Sequence, residues 1–105
     1  MPLLFQWDPR KARANFSKHG ITFEEASSAF GDPPSLTIAD PDHSEREDRH
    51  ILVGETFSQR LVVVSHAELG NNIRIISARF AARRERKAYE EDQYNSGSYQ
   101  DACRI

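Results

Sequence analysis

The sequence predicts a single domain of the α+β class, with two helices near its beginning, strands through its middle and a last helix after the final strand. Three observations lead to this prediction. Residues 8–31 contain two capped helix starts, residues 50–79 are rich in β-branched residues, and residues 81–89 return to strong helix formers. A chain of 105 residues suits one hydrophobic core, so we expect residues 1–93 to form the domain and residues 94–105 to be a flexible polar tail.

The first elements are a short strand over residues 3–7 and a helix that follows it at once. Asp is a favoured N-cap residue, so Asp8 is placed to cap the helix. Pro9 suits the first helical position, where a missing N–H costs nothing. Gly20 ends the helix. Inside it we expect Phe16 to face the core.

A second helix is indicated by the spacing of Thr22 and Glu25, which is that of a capping box. The Gly-Asp-Pro-Pro sequence of residues 31–34 ends it. The side chains expected on its buried stripe are Phe23, Ala26 and Phe30. Residues 35–40 then alternate apolar residues with small or polar ones, which predicts a strand.

Two more strands are predicted over residues 50–57 and 61–68. The second of them begins with Leu-Val-Val-Val, which is apolar on both alternating faces, so we expect it in the centre of the sheet.

A tight hairpin turn around Gly70 returns the chain into a strand over residues 73–79. With a two-residue loop, the alternation of side chains puts Arg74 and Arg79 on opposite faces of the sheet unless a bulge intervenes. In that register His66 shares a face with Arg79.

Composition excludes several classes of protein. No apolar run approaches the ~20 residues of a membrane span, no signal-peptide pattern is present, and the single Cys103 can form no internal disulfide, so we expect a cytoplasmic protein. The formal net charge is −2, but basic segments over residues 8–20 and 74–89 flank an acidic segment over residues 21–57. Such segments suit a polyanion, although a solvated surface of mixed sign is the simpler explanation.

The polar loop over residues 40–50 contains side chains of the types that bind metals. They are Asp40, Asp42, His43, Asp48 and His50. The calcium-loop pattern fails, because Glu45 stands where the pattern needs Gly and Ile51 stands where it needs Glu. No zinc-type spacing of Cys and His occurs either. We therefore expect no metal and no other cofactor.

The segment from Ile73 to Tyr89 is where we look for function, because it gathers six basic residues against the single acid Glu85. The basic residues are Arg74, Arg79, Arg83, Arg84, Arg86 and Lys87. Glu85 falls on one helix face with Ala82 and Tyr89, so it is expected to face the sheet and to need a partner there. An arginine of the preceding strand is the nearest candidate. The pair would be either a structural clamp or part of a catalytic or ligand-binding site.

An ordered set of residues resembles the BrnT toxin family from about Phe5 to Glu91. The residues that carry the resemblance are Trp7-Asp8-Pro9, Lys11, Asn15, Lys18-His19-Gly20, Phe23-Glu24-Glu25-Ala26, Asp32-Pro33, Glu47, Arg49, Gly54, Leu61-Val-Val-Val64, Arg74-Ile-Ile-Ser-Ala-Arg79, Arg84-Glu85-Arg86 and Tyr89-Glu90. No single motif is diagnostic, but the order and spacing of the set are specific. Members usually carry a second Arg after the position of Arg79 and often a Thr at the position of Ala82, where this chain has Phe80 and Ala82.

The resemblance implies a bacterial type II toxin–antitoxin module. The implied fold is RelE-like: a twisted antiparallel sheet of four to five strands, with two N-terminal helices and one C-terminal helix packed on it. The implied activity is that of a small metal-independent endoribonuclease, and the implied partner is a ribbon–helix–helix antitoxin (BrnA-like) that forms a hetero-oligomer with the toxin. The complex would bind operator DNA through the antitoxin.

RNA cleavage without a metal uses the substrate's own 2′-hydroxyl as nucleophile, so the protein must move protons and stabilise the charged phosphate. We expect Arg79, together with Arg74, to hold the phosphate. Glu85 would orient an arginine or act as base, and His19 or Tyr89 would carry the proton. The residues expected to contact the RNA backbone are Lys11, Lys18, Arg83, Arg84, Arg86 and Lys87.

Two other functions stay open at this point. The chain could be a non-catalytic binding module that acts with a ribbon–helix–helix partner as a transcriptional co-repressor. It could also be a toxin directed at a target other than RNA, such as DNA gyrase. Cleavage of RNA in the presence of chelator distinguishes the enzyme from both.

Overall fold

The computed structural model describes residues 4–39 and 49–91. The elements, in chain order, are β1 (Leu4–Gln6), α1 (Pro9–His19), α2 (Phe23–Ser28), a 3₁₀ turn (Ala29–Gly31), β2 (Leu36–Ala39), β3 (Arg49–Glu55), β4 (Leu61–Leu69), β5 (Asn72–Phe80) and a C-terminal helix α3, described over 83–91. The predicted order of elements is confirmed. The predicted tail over 94–105 and residues 40–48 of the polar loop lie outside the described residues. Nothing helical in the described ranges has both the length and the apolar character needed to cross a membrane.

The five strands form one sheet in the order β1-β5-β4-β3-β2. All neighbours are antiparallel except β1, which pairs in parallel with β5 through Phe5 and Ile73. The valine-rich β4 is the central strand, as predicted, and Val62, Val63 and Val64 are all buried. Burial on both alternating positions requires cover on both faces of the sheet.

We call the two faces of the sheet the helix face and the arginine face. The helix face carries Leu52, Val64 and Ile75 and packs against α1 and α2, forming the main core with Phe23. The arginine face is the opposite one, where a smaller cluster forms around Val63. Its other members are Val53, Leu61 and Tyr89 of α3, with Ile51 and Ala81 at its margin. The two clusters show that α3 covers the face that α1 and α2 leave open.

Helix α1 begins and ends as the sequence predicts. The Asp8 carboxylate accepts a hydrogen bond from the Arg10 N–H (2.8 Å), Pro9 is in the first turn, and Gly20 has the left-handed φ of 75° that ends the helix. The prediction for Phe16 is wrong, because its side chain is 54% exposed. The helix turns Asn15 towards the sheet instead, and Asn15 is the only buried residue of α1.

Helix α2 begins at half of the predicted capping box. The Thr22 hydroxyl accepts from the Glu25 N–H (3.0 Å). The Glu25 carboxylate does not return to the cap. It is buried, it accepts from Arg60 Nε and from the Thr56 hydroxyl at 2.8 Å each, and it forms an ion pair with Arg60. Glu25 therefore ties α2 to the loop between β3 and β4.

Gly54 allows β3 to lie directly under the 3₁₀ turn. A Cβ atom at this position would be 2.9 Å from the Ala29 carbonyl oxygen and 3.0 Å from the Ser35 Cβ. Any side chain would push these backbones apart, so the close approach requires glycine.

The β4–β5 hairpin has the predicted two-residue turn, with Leu69 paired to Asn72. The exception stated for the hairpin occurs, because the register shifts by one residue between Ser65 and His66, and Arg74 and Arg79 lie on one face rather than on opposite faces. The shift is a β-bulge, and a bulge inverts the alternation of side chains beyond it. His66 consequently shares the helix face with Ile75 rather than a face with Arg79.

Candidate functional site

The bulge in the β4–β5 pair brings the strand arginines to one face. Arg74 pairs with Ala67 and Arg79 pairs with Val63, and both positions belong to the arginine face. Ala67 and Val63 are four residues apart on β4, so the two arginine Cα atoms are separated by about 13 Å along the strand. That spacing suits contacts to neighbouring phosphates of one RNA strand rather than joint binding of a single phosphate by both arginines.

Arg79 and Glu85 form a bidentate ion pair at the junction of β5 and α3. Arg79 NH1 donates to Glu85 Oε1 at 2.8 Å, and NH2 donates to Oε2 at 2.6 Å. The side chains are 44% and 28% exposed, so the pair is reachable from solvent. The hydrogen bonds from Arg79 lower the pKa of Glu85 below its ordinary value, and burial partly opposes them. The same bonds raise the pKa of Arg79. The partner predicted for Glu85 is therefore the observed one.

Glu85 also fixes the start of α3. Its Oε1 accepts from the Ala82 N–H at 2.8 Å, and the Arg86 N–H donates to the Ala82 carbonyl at 2.9 Å, so Ala82 is the N-cap residue. This is one half of a capping box, in which a Thr at the position of Ala82 would supply the other half. Ala82 is exposed rather than turned to the sheet, which corrects the face predicted for it.

Helix α1 closes the free edge of β5. Asn15 Oδ1 accepts from the Ala78 N–H (3.0 Å), while Nδ2 donates to the Ala78 carbonyl (2.8 Å) and to the Ile21 carbonyl (3.3 Å). Strand β1 pairs with β5 only as far as Arg74, so one amide side chain takes the place of a strand further along. Ala78 is held next to Arg79 by these bonds.

A groove of about 230 Å³ runs between α1 and β5 on the same edge. Its lining comprises Lys11, Ala14, Asn15, Lys18 and His19 of α1, with Ile76 and Ser77 of β5. Ser77 pairs with Ser65 and so belongs to the arginine face, two residues from Arg79. The structure therefore brings His19, Lys11 and Lys18 to the flank of the face that carries Arg79.

Tyr89 occupies a structural position. It is buried in the cluster around Val63, and its hydroxyl donates to Asp32 Oδ2 at 2.8 Å. Burial and the Asp32 carboxylate raise the pKa of Tyr89 well above its ordinary value. Asp32 Oδ2 also accepts from the Glu55 N–H (2.9 Å), so this carboxylate joins α3 to β3. The arrangement favours anchoring of α3 over proton transfer by Tyr89.

The remaining predicted RNA contacts lie on the first turns of α3. Their side chains are all exposed: Arg83, Arg84, Arg86 and Lys87. Arg83 and Arg84 line a shallow depression with Ala82 and Glu85 beside the ion pair. The cations of α3 and those of α1 thus flank the arginine face from two directions.

Two residues at this site were not predicted from the sequence. Asn15 and Ser77 stand among the residues that carry the family resemblance, but the sequence assigns neither of them a role in the site. An Asn inside a helix is a poor helix former, and that was the available signal for Asn15. Among the described residues, one group of three metal-type ligands occurs, and it lies on the helix face, away from this site: His50, His66 and Glu68.

Comparisons with known proteins bear on the fold and the family of this chain. A family model described as "Ribonuclease toxin, BrnT, of type II toxin-antitoxin system" matches residues 7–85. A crystal structure of the Brucella abortus ribonuclease toxin BrnT is similar with a TM-score of 0.58 and 22% sequence identity, covering 79% of this chain and 99% of that chain. No curated protein matches the chain. The family match spans the ion pair, the groove and strands β2 to β5. It shows that the chain belongs to the BrnT family of ribonuclease toxins of type II toxin–antitoxin systems.

Proposed function

We propose that this chain is a metal-independent endoribonuclease that cleaves RNA by attack of the substrate's own 2′-hydroxyl on the adjacent phosphate. The observation that carries the proposal is the Arg79–Glu85 pair on the arginine face. A guanidinium already held by two parallel hydrogen bonds to a carboxylate has the geometry that two phosphate oxygens require. The approaching phosphate would exchange with the carboxylate or share the guanidinium with it.

Glu85 is assigned the role of a positioning residue. Its pKa is lowered by Arg79, and a base with a lowered pKa accepts a proton poorly. Its contacts with Arg79 and with the Ala82 N–H instead fix the guanidinium relative to α3. The proton acceptor is then assigned to His19, which borders the groove that includes Ser77. Lys11 and Lys18 on the same groove would contact the flanking backbone.

The direct test of the chemistry uses single-stranded RNA in the presence of chelator. Cleavage by 2′-hydroxyl attack leaves a 2′,3′-cyclic phosphate on one product, and a 2′-deoxy substitution at the cleaved position blocks it. We expect both results. Intact RNA after prolonged incubation with folded protein would instead support the non-catalytic co-repressor, and products with a simple 3′-hydroxyl would contradict the proposed attack.

Arg79→Ala tests the phosphate contact. Loss of one preorganised charge donor costs on the order of 10²–10³ in rate. The ion pair is solvent-exposed, so its loss should change stability by no more than about 1 kcal/mol, which a thermal melt checks. The matched control is Arg10→Ala, an exposed arginine in the first turn of α1, which should keep the wild-type rate. Wild-type cleavage by folded Arg79→Ala protein would show that the site is misplaced.

Glu85→Gln and His19→Gln separate positioning from proton transfer. Glu85→Gln should lower the rate without moving the pH dependence, because a neutral amide orients Arg79 less well. His19→Gln should lower the rate about 10²-fold or more and remove a titration from the pH–rate profile. A pH profile changed by Glu85→Gln and unchanged by His19→Gln would reverse the two assignments.

For the partner we propose a ribbon–helix–helix antitoxin encoded beside the toxin gene, acting in the cytoplasm. Expression of the chain alone should arrest bacterial growth, and co-expression of the neighbouring antitoxin should relieve it. The purified pair, and not the toxin alone, should bind operator DNA. Arrest that persists with Arg79→Ala protein would point to a target other than RNA.

A further inference from the structure

The helix face holds a cluster of metal-type ligands outside the proposed nuclease site. His50 of β3 and His66 of β4 are directly paired across the two strands, and Glu68 follows His66 by two residues on the same face. The three ligand atoms, His50 Nδ1, His66 Nε2 and a Glu68 carboxylate oxygen, lie within 4.8 Å of one another. Only His50 of the three is a candidate ligand in the sequence, because His66 and Glu68 are on the next strand and come close to it only through the pairing of β3 with β4.

The closest distances suit one small cation. His66 Nε2 is 3.0 Å from Glu68 Oε2, and His50 Nδ1 is 3.9 Å from the same oxygen. Ligands bound to Zn²⁺ at about 2.0–2.2 Å in a tetrahedron are separated by roughly 3.3–3.6 Å, a range between these two distances. The two imidazole nitrogens lie within 4.8 Å of each other, and binding would require the His50 ring, whose side chain is 26% exposed, to move slightly closer.

The surroundings hold His66 in the orientation that a ligand needs. His66 is fully buried, the Phe30 ring packs edge-on against it at 4.7 Å between centroids, and the His50 ring stacks on it at 5.8 Å. Its Nδ1 faces the Val64 carbonyl at 3.4 Å, the kind of backbone partner that keeps a proton on one imidazole nitrogen and leaves the other for a metal. Strand β4 runs without interruption through His66, because the extra residue of the β-bulge is Ile76 on β5. His66 therefore keeps the regular alternation that places it on the helix face with Val64.

We infer that His50, His66 and Glu68 form a binding site for a divalent transition-metal cation, for which Zn²⁺ is the best match. Two imidazoles and one carboxylate are a donor set that Zn²⁺ accepts, with water completing the coordination. The single carboxylate offsets half of the ion's charge. Because Glu68 is 40% exposed at the mouth of the cluster, the ion has a route from solvent. Bound metal would join β3 to β4 on the face opposite Arg79, so it would stabilise the fold and take no part in cleavage.

The test titrates the full-length chain with ZnCl₂ after removal of metals by chelator and dialysis. A Cys103→Ser background removes the one thiol as a competing ligand. Calorimetry should show one Zn²⁺ per chain, and the melting temperature should rise on the order of 10 °C when free Zn²⁺ is about a hundred times Kd. Co²⁺ in place of Zn²⁺ gives a visible spectrum that reports the number of ligands.

His50→Ala and Glu68→Gln are the decisive variants, because both side chains are partly exposed and their loss leaves buried His66 in place. Each should weaken Zn²⁺ binding at least ten-fold and, at the same free Zn²⁺ concentration, reduce the melting-temperature shift to about half or less. The matched controls are His19→Ala and Glu24→Gln, outside the cluster, which should bind as the parent does. Absence of one-to-one binding, or binding unchanged in both cluster variants, would overturn the site. RNA cleavage in chelator by the parent chain and by the two cluster variants does not depend on bound metal, so failure here is distinct from failure of the proposed nuclease.

Discussion

Replacement of Asn15 by Ala should destabilise the domain at the edge of β5. The substitution removes three hydrogen bonds and leaves the Ala78 N–H and carbonyl without protein partners. A buried backbone group left unpaired costs about 1–3 kcal/mol. Alanine is the better helix former by several tenths of a kcal/mol, which offsets part of that loss. The expected net destabilisation is about 2–4 kcal/mol, a drop in melting temperature of roughly 10–20 °C.

The assay for Asn15→Ala combines thermal melting with hydrogen exchange at the Ala78 amide. In the wild type this amide is bonded to Asn15 and should exchange slowly, and in the variant it should exchange faster than its neighbours in β5. Ser17→Ala, an exposed change in the same helix, is the matched control and should shift stability by no more than about 0.5 kcal/mol.

Asn15→Asp tests whether the hydrogen bonds donated by the Asn15 amide are needed. The aspartate keeps an acceptor for the Ala78 N–H but loses both donations and turns an oxygen towards the Ala78 carbonyl. It should therefore be at least as destabilising as alanine. A melting temperature of Asn15→Ala within 1–2 °C of the wild type, with unchanged exchange at Ala78, would refute the view that this side chain replaces a strand.

Three further predictions concern the contacts that anchor the helices. Arg60 lowers the pKa of Glu25 below its ordinary 4.5, so the pair's contribution to stability is present above that pH and is lost as pH falls through the lowered value. Melts of wild type and Glu25→Gln should therefore differ at neutral pH and converge in acid, and a gap that widens in acid would contradict this. Ala82→Thr should complete the capping box and add about 1 kcal/mol of stability, and a lower melting temperature would show that the N-cap geometry differs. Tyr89→Phe removes the bond to Asp32 and should cost about 1 kcal/mol while cleavage is retained, whereas a hundred-fold rate loss would return Tyr89 to catalysis.

The bulge shows why the site was less predictable than the fold. Turn residues and alternation correctly predicted the hairpin and the central place of β4, because both are local or compositional signals. The shift between Ser65 and His66 has no such signal. It depends on how two strands accommodate their neighbours, and it decides that Arg74 and Arg79 share a face.

Phe16 and Asn15 show the same limit in a helix. Asn15 is buried and Phe16 is exposed, which is the reverse of what the hydrophobicity of the two side chains predicts. A free sheet edge needs polar partners, and an amide supplies both a donor and an acceptor. That need exists only once α1 has docked beside β5.

The order of the elements, the N-caps Asp8 and Thr22, the hairpin and the type of partner needed by Glu85 could all be predicted from the sequence, because each depends on a few neighbouring residues or on side-chain periodicity. The tertiary structure alone decided which arginine meets that carboxylate, which residue of α1 is buried, and that two distant histidines adjoin a glutamate. These outcomes depend on strand register and helix docking, and a change of one residue in register exchanges the two faces of a sheet.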